Sequence, residues 1–247
     1  MFKRPACRAF LLALMFPLCV PPAASAAAGA QLVMIAPLNQ AMPLAGFQGN
    51  ELRGGIIKDL GDAIAHRLGR GIAYVSVTGD QVSAALESGR ADGICYVRPF
   101  WIDGHFDWSR PVLPDAEVVA SQEGAPPVRS LADLRDRPVG TVAGYRYPRV
   151  EQVLGLRFQR SESVNMEENL RKLMAGKVRH TVIGKSTLAY QMRINKALTL
   201  RQDLVFASFK AQCAFSKKAK VPFDEVDQAI NGLIEDGSVD KILARYR

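Results

Sequence analysis

Metal-binding spacing is absent from this sequence. His66, His105 and His180 stand apart from one another, and the four cysteines form no C-x-x-C pair, which excludes the common structural zinc patterns. Each histidine is therefore read as a surface or half-buried polar residue. There is no G-x-S-x-G elbow, no P-loop and no metal signature, so the familiar hydrolase and nucleotide sites have no anchor. The net charge is +8, yet no Lys/Arg block is interleaved with aromatics, and nucleic acid is not an expected partner. After the N-terminus no run is apolar enough to cross a membrane, and no low-complexity segment or short repeat occurs.

What is present begins with an export leader. Lys3, Arg4 and Arg8 make a basic start, and Ala9–Val20 is apolar but falls short of the roughly 20 residues that span a bilayer. Pro21-Pro22 ends the run, and Ala24-Ser25-Ala26 offers the small-x-small site of a signal peptidase. Phe16-Pro17-Leu18 before Cys19 lacks the small residue of a lipoprotein signal. Cleavage after Ala26 removes three cations and no acid, lowering the charge to +5 and leaving 221 residues. That length suits one large domain or two small lobes. Cys7 and Cys19 leave with the leader, while Cys95 and Cys213 remain in an oxidising, periplasmic setting that permits a disulfide.

Strand and helix signals then alternate. Gln31–Ala36 reads as a strand, Gly55–Leu68 as a helix with Ile56, Leu60, Ile64 and Leu68 on one face, and Gly71–Val77 as a strand. A short helix over Gln81–Ser88 and a strand over Gly93–Val97 complete a run that implies a parallel sheet. Arg98–Pro114, rich in proline and aromatics, breaks the rhythm as a loop and extended crossing. Ser130–Leu134 and Pro138–Val142 restart it. A strand near Leu156–Phe158, a helix over Glu167–Ala175, a strand over His180–Ile183 and a helix over Ser186–Ile194 follow. Leu204–Phe215 is extended again, before helices over Phe223–Glu235 and Val239–Tyr246. The fold class is α/β, with two α/β lobes joined by two crossing segments.

Several stretches resemble the polar-amino-acid type of periplasmic solute-binding proteins, family 3. Gly55-Ile56-Ile57-Lys58-Asp59-Leu60 is similar to the family's first-helix signature, and Ala85-Leu86-Glu87-Ser88-Gly89-Arg90-Ala91-Asp92-Gly93 to its second-helix segment. Asp107-Trp108-Ser109-Arg110-Pro111 resembles the exit from lobe 1. Ser130-Leu131-Ala132-Asp133-Leu134 with Val139-Gly140-Thr141-Val142-Ala143-Gly144 resembles the opening of lobe 2. The resemblance implies the type II periplasmic-binding-protein fold. Lobe 1 is expected over residues 27–112 and 209–247, lobe 2 over 113–208, with hinge closure on a ligand in the cleft. It also implies that the strand returning from the second crossing lies beside the third strand of lobe 1. Cys95 and Cys213 are then expected to be neighbours, with their covalent bond left open.

The family's signature charges are missing. Its ligand-carboxylate arginine falls on Ile102, and the acid that holds the ligand ammonium falls at Gly184-Lys185, with no acid within two residues. Arg98, at the end of a strand, is read either as a replacement ligand contact or as a strand-end ion pair. Asn39, Tyr96, Trp101, Gly144, Tyr145, Arg146 and Lys185 complete the candidate ligand-binding set. Gly144-Tyr145-Arg146 is expected to open a helix whose free N–H groups favour an anion. Arg146 and Lys185 fit either ligand contacts or solvated charge. Tyr96 and Trp101 fit either a stacking platform or plain core.

Three cations with no facing acid favour a small anionic ligand, passed as captured by a monomer to an inner-membrane permease or sensor. No cofactor is implied. An accessory or signalling protein that no longer binds a small ligand would also explain the lost charges. A dehydratase-like enzyme is a further alternative, although nothing makes Asp103, His105 and Asp107 converge.

Overall fold

A computed structural model describes Met1 and residues 29–247. The leader, apart from Met1, and with it Cys7 and Cys19, lies outside the described residues. Strand β1 (Leu32–Pro37) is apolar throughout because both of its faces are covered. Leu32, Met34 and Ala36 pack on one side, and Val33 and Ile35 on the other. A short hairpin, β2 (Gly46–Gln48) and β3 (Glu51–Gly54), leads into α1 (Ile56–Arg67). Ile56, Ile57, Leu60 and Ile64 give α1 a buried stripe. Full burial of each such side chain contributes about 1.5–3 kcal/mol. β4 (Ile72–Val77), α2 (Val82–Glu87) and β5 (Gly93–Val97) follow.

The crossing region holds β6 (Phe106–Trp108) and ends in β7 (Leu113–Gln122). The middle of the chain then builds β8 (Pro138–Val142), α3 (Pro148–Leu154), β9 (Gln159–Ser163), α4 (Met166–Met174), β10 (His180–Gly184) and α5 (Lys185–Ile194). The long return strand β11 (Leu200–Ser216) precedes α6 (Phe223–Glu235) and α7 (Ser238–Ala244).

Nine strands form one continuous sheet, ordered β4-β1-β5-β11-β7-β10-β8-β9, with β6 also paired to β11. β1 runs parallel to β4 and β5, and β8 parallel to β9 and β10. β11 joins the two halves by antiparallel pairing, along Leu200–Ala211 to β7 and along Gln212–Phe215 to β5. Each half carries its own core. α1, α6 and α7 cover one face of the first half, and α2 the other. In the second half, Val118 and Ala120 of β7 point to one cluster and Val119 to the opposite one. Cys95 stands opposite Cys213 in the β5–β11 register, and a disulfide joins them with Cα atoms 4.0 Å apart.

Two local expectations need correction. Gly144 ends a turn, Tyr145–Tyr147 is irregular, and α3 begins only at Pro148, whose fixed φ suits the first helical position. Leu156 and Arg157 belong to a 3₁₀ turn over Gly155–Arg157, and the strand follows at Gln159–Ser163. β9 lies at the sheet edge and is polar, so hydrophobic alternation does not reveal it. The β2–β3 hairpin is too short and mixed to leave a period-2 pattern.

Candidate functional site

A cavity of about 110 Å³ lies where the two halves meet. The loop after β1 contributes Asn39, the end of β5 contributes Tyr96, and the following loop Trp101. From the other half come Glu117 of β7, the loop Gly144–Tyr147 and the end of β10 at Gly184.

Tyr96 occupies the left-handed region at φ 63, which is uncommon for a bulky residue and indicates constraint. Its ring packs against Trp101 and Phe209, each with centroids 6.3 Å away. Its hydroxyl donates to Asp115 Oδ2 at 2.5 Å, so β5 is held to β7. Burial, reinforced by the Asp115 charge, pushes the phenol well above its ordinary range. Asp115 also accepts from Ser186 Oγ at 2.5 Å and the Ser186 N–H at 3.0 Å.

Asn39 is 3% exposed. Its Nδ2 donates to the Ala143 carbonyl at 3.2 Å, which fixes the amide orientation, and its buried Oδ1 has no partner. Its own carbonyl accepts from Tyr145 Oη at 3.3 Å. Gly144 brings the two halves' backbones together. A Cβ there would stand 3.0 Å from the Asp80 nitrogen and 3.1 Å from Gly79, and φ is 75.

The cations stand differently from the sequence picture. Arg98 is outside the lining, and its guanidinium lies 5.4 Å from the Trp101 ring centroid and 4.9 Å from that of Phe209. It makes no ion pair among the described residues. Arg146 reaches the lining but pairs with exposed Asp103, whose carboxyl is held below its usual range by that hydrogen bond. Lys185 is exposed at the start of α5 and outside the lining. Asp103, His105 and Asp107 do not converge. Asp107 pairs with Lys217 and His105 is exposed.

The absence of a facing acid is also corrected. In the antiparallel β10–β7 register, Gly184 stands opposite Glu117. The neighbouring strand β7 therefore sets a carboxyl opposite the end of β10. Burial lifts the Glu117 pKa to about 7, against the lowering effect of Arg98 and with a further raise from Asp115. Its carboxyl makes no hydrogen bond or ion pair among the described residues. Asp115 and Glu117, two apart before the apolar middle of the strand, share one face, and that spacing is the available sequence signal.

A Ser–His–Asp group lies elsewhere in the second half. Ser121 Oγ sits 2.8 Å from His180 Nδ1 and donates to Asp203 at 2.7 Å. Serine is the middle member, so the order needed to activate it as a nucleophile is absent. Ser121 is fully buried and His180 is 2% exposed, outside the cavity. No group of three or more potential metal ligands occurs among the described residues. No helix among them is long and apolar enough to cross a membrane.

The sequence profile of the bacterial extracellular solute-binding proteins, family 3, matches residues 33–247. The chain belongs to that family. No curated protein matches this solute-binding protein by sequence. Among solved structures it is similar to the arginine-, lysine-, histidine-binding protein ArtJ from Geobacillus stearothermophilus, at 19% identity and a TM-score of 0.75, over 88% of this chain and 95% of that one. It is also similar to a histidine kinase sensor domain resembling periplasmic binding proteins, at 19% identity and TM-score 0.74, over 89% and 96% of the two chains. A third likeness is an ancestral amino-acid-binding protein, AncCDT-1, described as a precursor of cyclohexadienyl dehydratase. It shows 19% identity and TM-score 0.73, over 87% and 95%. At these identities the structures establish the α/β periplasmic-binding-protein fold for this solute-binding protein.

Proposed function

We propose that this protein captures a small polar ligand between two lobes and presents the closed form to an inner-membrane transporter or sensor. Residues 27–112 and 209–247 form one lobe and residues 113–208 the other. The supporting observation is the cavity itself, which takes its lining from both halves of the sheet. Tyr96–Asp115, Asn39–Ala143 and Asp103–Arg146 link the halves around it. A ligand that touches both lobes only when they are closed shifts the population toward closure. Asn39, Tyr96, Trp101, Gly144, Tyr145 and Arg146 are the contacts drawn from the sequence that lie on this cavity. Membership of an extracellular family, together with the basic and apolar N-terminus, supports a periplasmic location after leader removal. The protein is expected to act as a monomer without a cofactor.

An anionic ligand has less support than the sequence suggested. Arg146 is the one cation in the lining and Asp103 engages it, while Glu117 brings an acid. The enzyme reading gains one observation, a cavity carboxyl that titrates near neutrality. No second carboxyl and no histidine lines the cavity beside it, and burial pushes the phenols of Tyr96, Tyr145 and Tyr147 up and away from neutrality, so binding is favoured. Native mass spectrometry of the gently purified protein tests the reading. A co-purified small molecule, released on unfolding, is expected. Prephenate-class acids consumed catalytically would establish the enzyme instead.

A further inference from the structure

We infer that the Cys95–Cys213 disulfide is a positioning pair for Tyr96: it holds β5 in a bulged register that turns the phenol toward Asp115 of the other half. The assignment goes beyond solute capture and does not depend on which molecule the cavity takes. Gln212 and Cys213 are adjacent on β11, yet their partners on β5 are Val97 and Cys95. Tyr96 is the extra residue between those partners, a β-bulge, and it is the one found at φ 63. The bulge reverses the alternation of β5. Ile94 packs in the core on the α2 side and Cys95 in the core on the α1 side, so a regular strand would return Tyr96 to the α2 side. Tyr96 instead joins Cys95, Cys213 and Phe209 on the α1 side, and Val97 takes the α2 side. From there its hydroxyl meets Asp115 at 2.5 Å.

A left-handed conformation is costly for a bulky residue and persists only where the surroundings fix it. Both flanks of this bulge are fixed on β11. Val97 stands opposite Gln212, whose Nε2 donates to the Ser109 carbonyl at 2.5 Å. Cys95 is bonded to Cys213, which Ser109 holds from two sides. The Cys213 N–H donates to Ser109 Oγ at 2.9 Å, and the Cys213 carbonyl accepts from the Ser109 N–H at 3.0 Å. With its flanks held one β11 residue apart, Tyr96 stays out of the ladder. Without the crosslink, Cys95 is free to move off Cys213 and the extra residue can be drawn into regular pairing. That relieves the backbone but displaces Tyr96 by up to one strand spacing, about 3.3 Å. A hydrogen bond to Asp115 does not survive such a shift.

A double-mutant cycle separates a positioning bond from a plain crosslink. Cys95→Ala with Cys213→Ala, Tyr96→Phe and the triple variant are compared with wild type by chemical denaturation, with circular dichroism to confirm each fold. A crosslink that only restricts the unfolded chain costs the same whether or not Tyr96 is replaced. A positioning bond has lost its object in Tyr96→Phe. The fall in denaturation midpoint on removing the disulfide is therefore expected to be smaller there than in wild type, by about the shift that Tyr96→Phe causes alone. Carbon-13 spectra of ring-labelled tyrosine give a second readout. In wild type the Tyr96 phenol is expected to stay protonated beyond its ordinary 10.0, held by burial and the Asp115 charge, and to titrate closer to that value once the disulfide is gone. Equal falls in midpoint in the two backgrounds, or a Tyr96 resonance unmoved by loss of the disulfide, overturn the assignment. A chain that cannot fold without the bond, even with trimethylamine N-oxide added to favour the folded state, also overturns it, because the bond then serves the whole fold. None of these outcomes bears on solute capture, which native mass spectrometry tests separately.

Discussion

Tyr96 and Asp115 join the two halves of the molecule by a hydrogen bond of 2.5 Å, with Asp115 bonded in turn to the first turn of α5. Tyr96→Phe keeps the ring packing against Trp101 and Phe209 and removes only this bond. Hydrogen bonds to charged acceptors are worth about 1.5–3 kcal/mol. The variant is expected to lose stability in that range and to sample a more open shape. Chemical denaturation and small-angle X-ray scattering check the two parts. An unchanged radius of gyration would show that other contacts hold the closure.

Glu117 makes stability depend on pH in a stated direction. Burial places its pKa at about 7, above the ordinary 4.5. Between those values the folded state holds a proton that the unfolded chain has released, so stability falls as pH rises through this window. Above it, the empty protein carries a penalty of about 3 kcal/mol from this group. Glu117→Gln should therefore raise the melting temperature at pH 8 and leave it nearly unchanged at pH 4.

Arg98 opposes the burial of Glu117 without touching it. Removing the guanidinium takes away a lowering influence, so Arg98→Met should move the Glu117 titration upward from about 7. Carbon-13 carboxyl shifts followed across pH report this directly. No movement would mean that the rings of Trp101 and Phe209 hold the guanidinium too far away to matter.

The Cys95–Cys213 disulfide closes a sequence separation of 118 residues. Loops of that order lose about 4–5 kcal/mol of unfolded-state entropy when closed, on the chain-entropy account. Replacement of both cysteines by serine should cost an amount of that order. Both residues are at most 1% exposed. Reductant should therefore act slowly on the native protein and quickly once denaturant opens it, as alkylation mapping will show.

Asp203 is held below its ordinary pKa despite burial by hydrogen bonds from Arg201, Ser121 and the Val128 N–H. A depressed carboxylate contributes stability above its unfolded pKa, and that contribution is lost as pH falls through the folded value. Asp203→Asn should cost about 2–3 kcal/mol at pH 7 and flatten the acid limb of the stability curve. An acid limb identical to wild type would shift that role to other carboxylates.

Elements with a buried stripe or two buried faces were legible in the sequence. The residues of β1, α1 and α6 alternate or recur at the spacing their packing requires. β9 was misplaced because an edge strand needs no apolar face, and the start of α3 because Gly144 resembles an N-terminal turn. At the site, residue types were readable but partners were not. Nothing local to Arg146 announces Asp103, 43 residues away, and Arg98 turns onto Phe209, a residue of the distant strand β11. Glu117 was hidden for a related reason. No acid lies near Gly184 in sequence, and strand pairing sets Glu117, 67 residues earlier, opposite it.

The two crossing segments lie side by side, with Leu113 opposite Ala211 in antiparallel register. Everything between them enters and leaves the first half through one doorway, and antiparallel neighbours need only a two-residue turn to connect. The middle of the chain is thus topologically an insert. Cutting after Leu113, bridging to Ala211 with a tight turn and keeping both natural ends would leave one uninterrupted sheet-and-helix unit, its disulfide included. The same doorway is where a foreign module could be spliced, its motion coupled to whatever the cleft takes up.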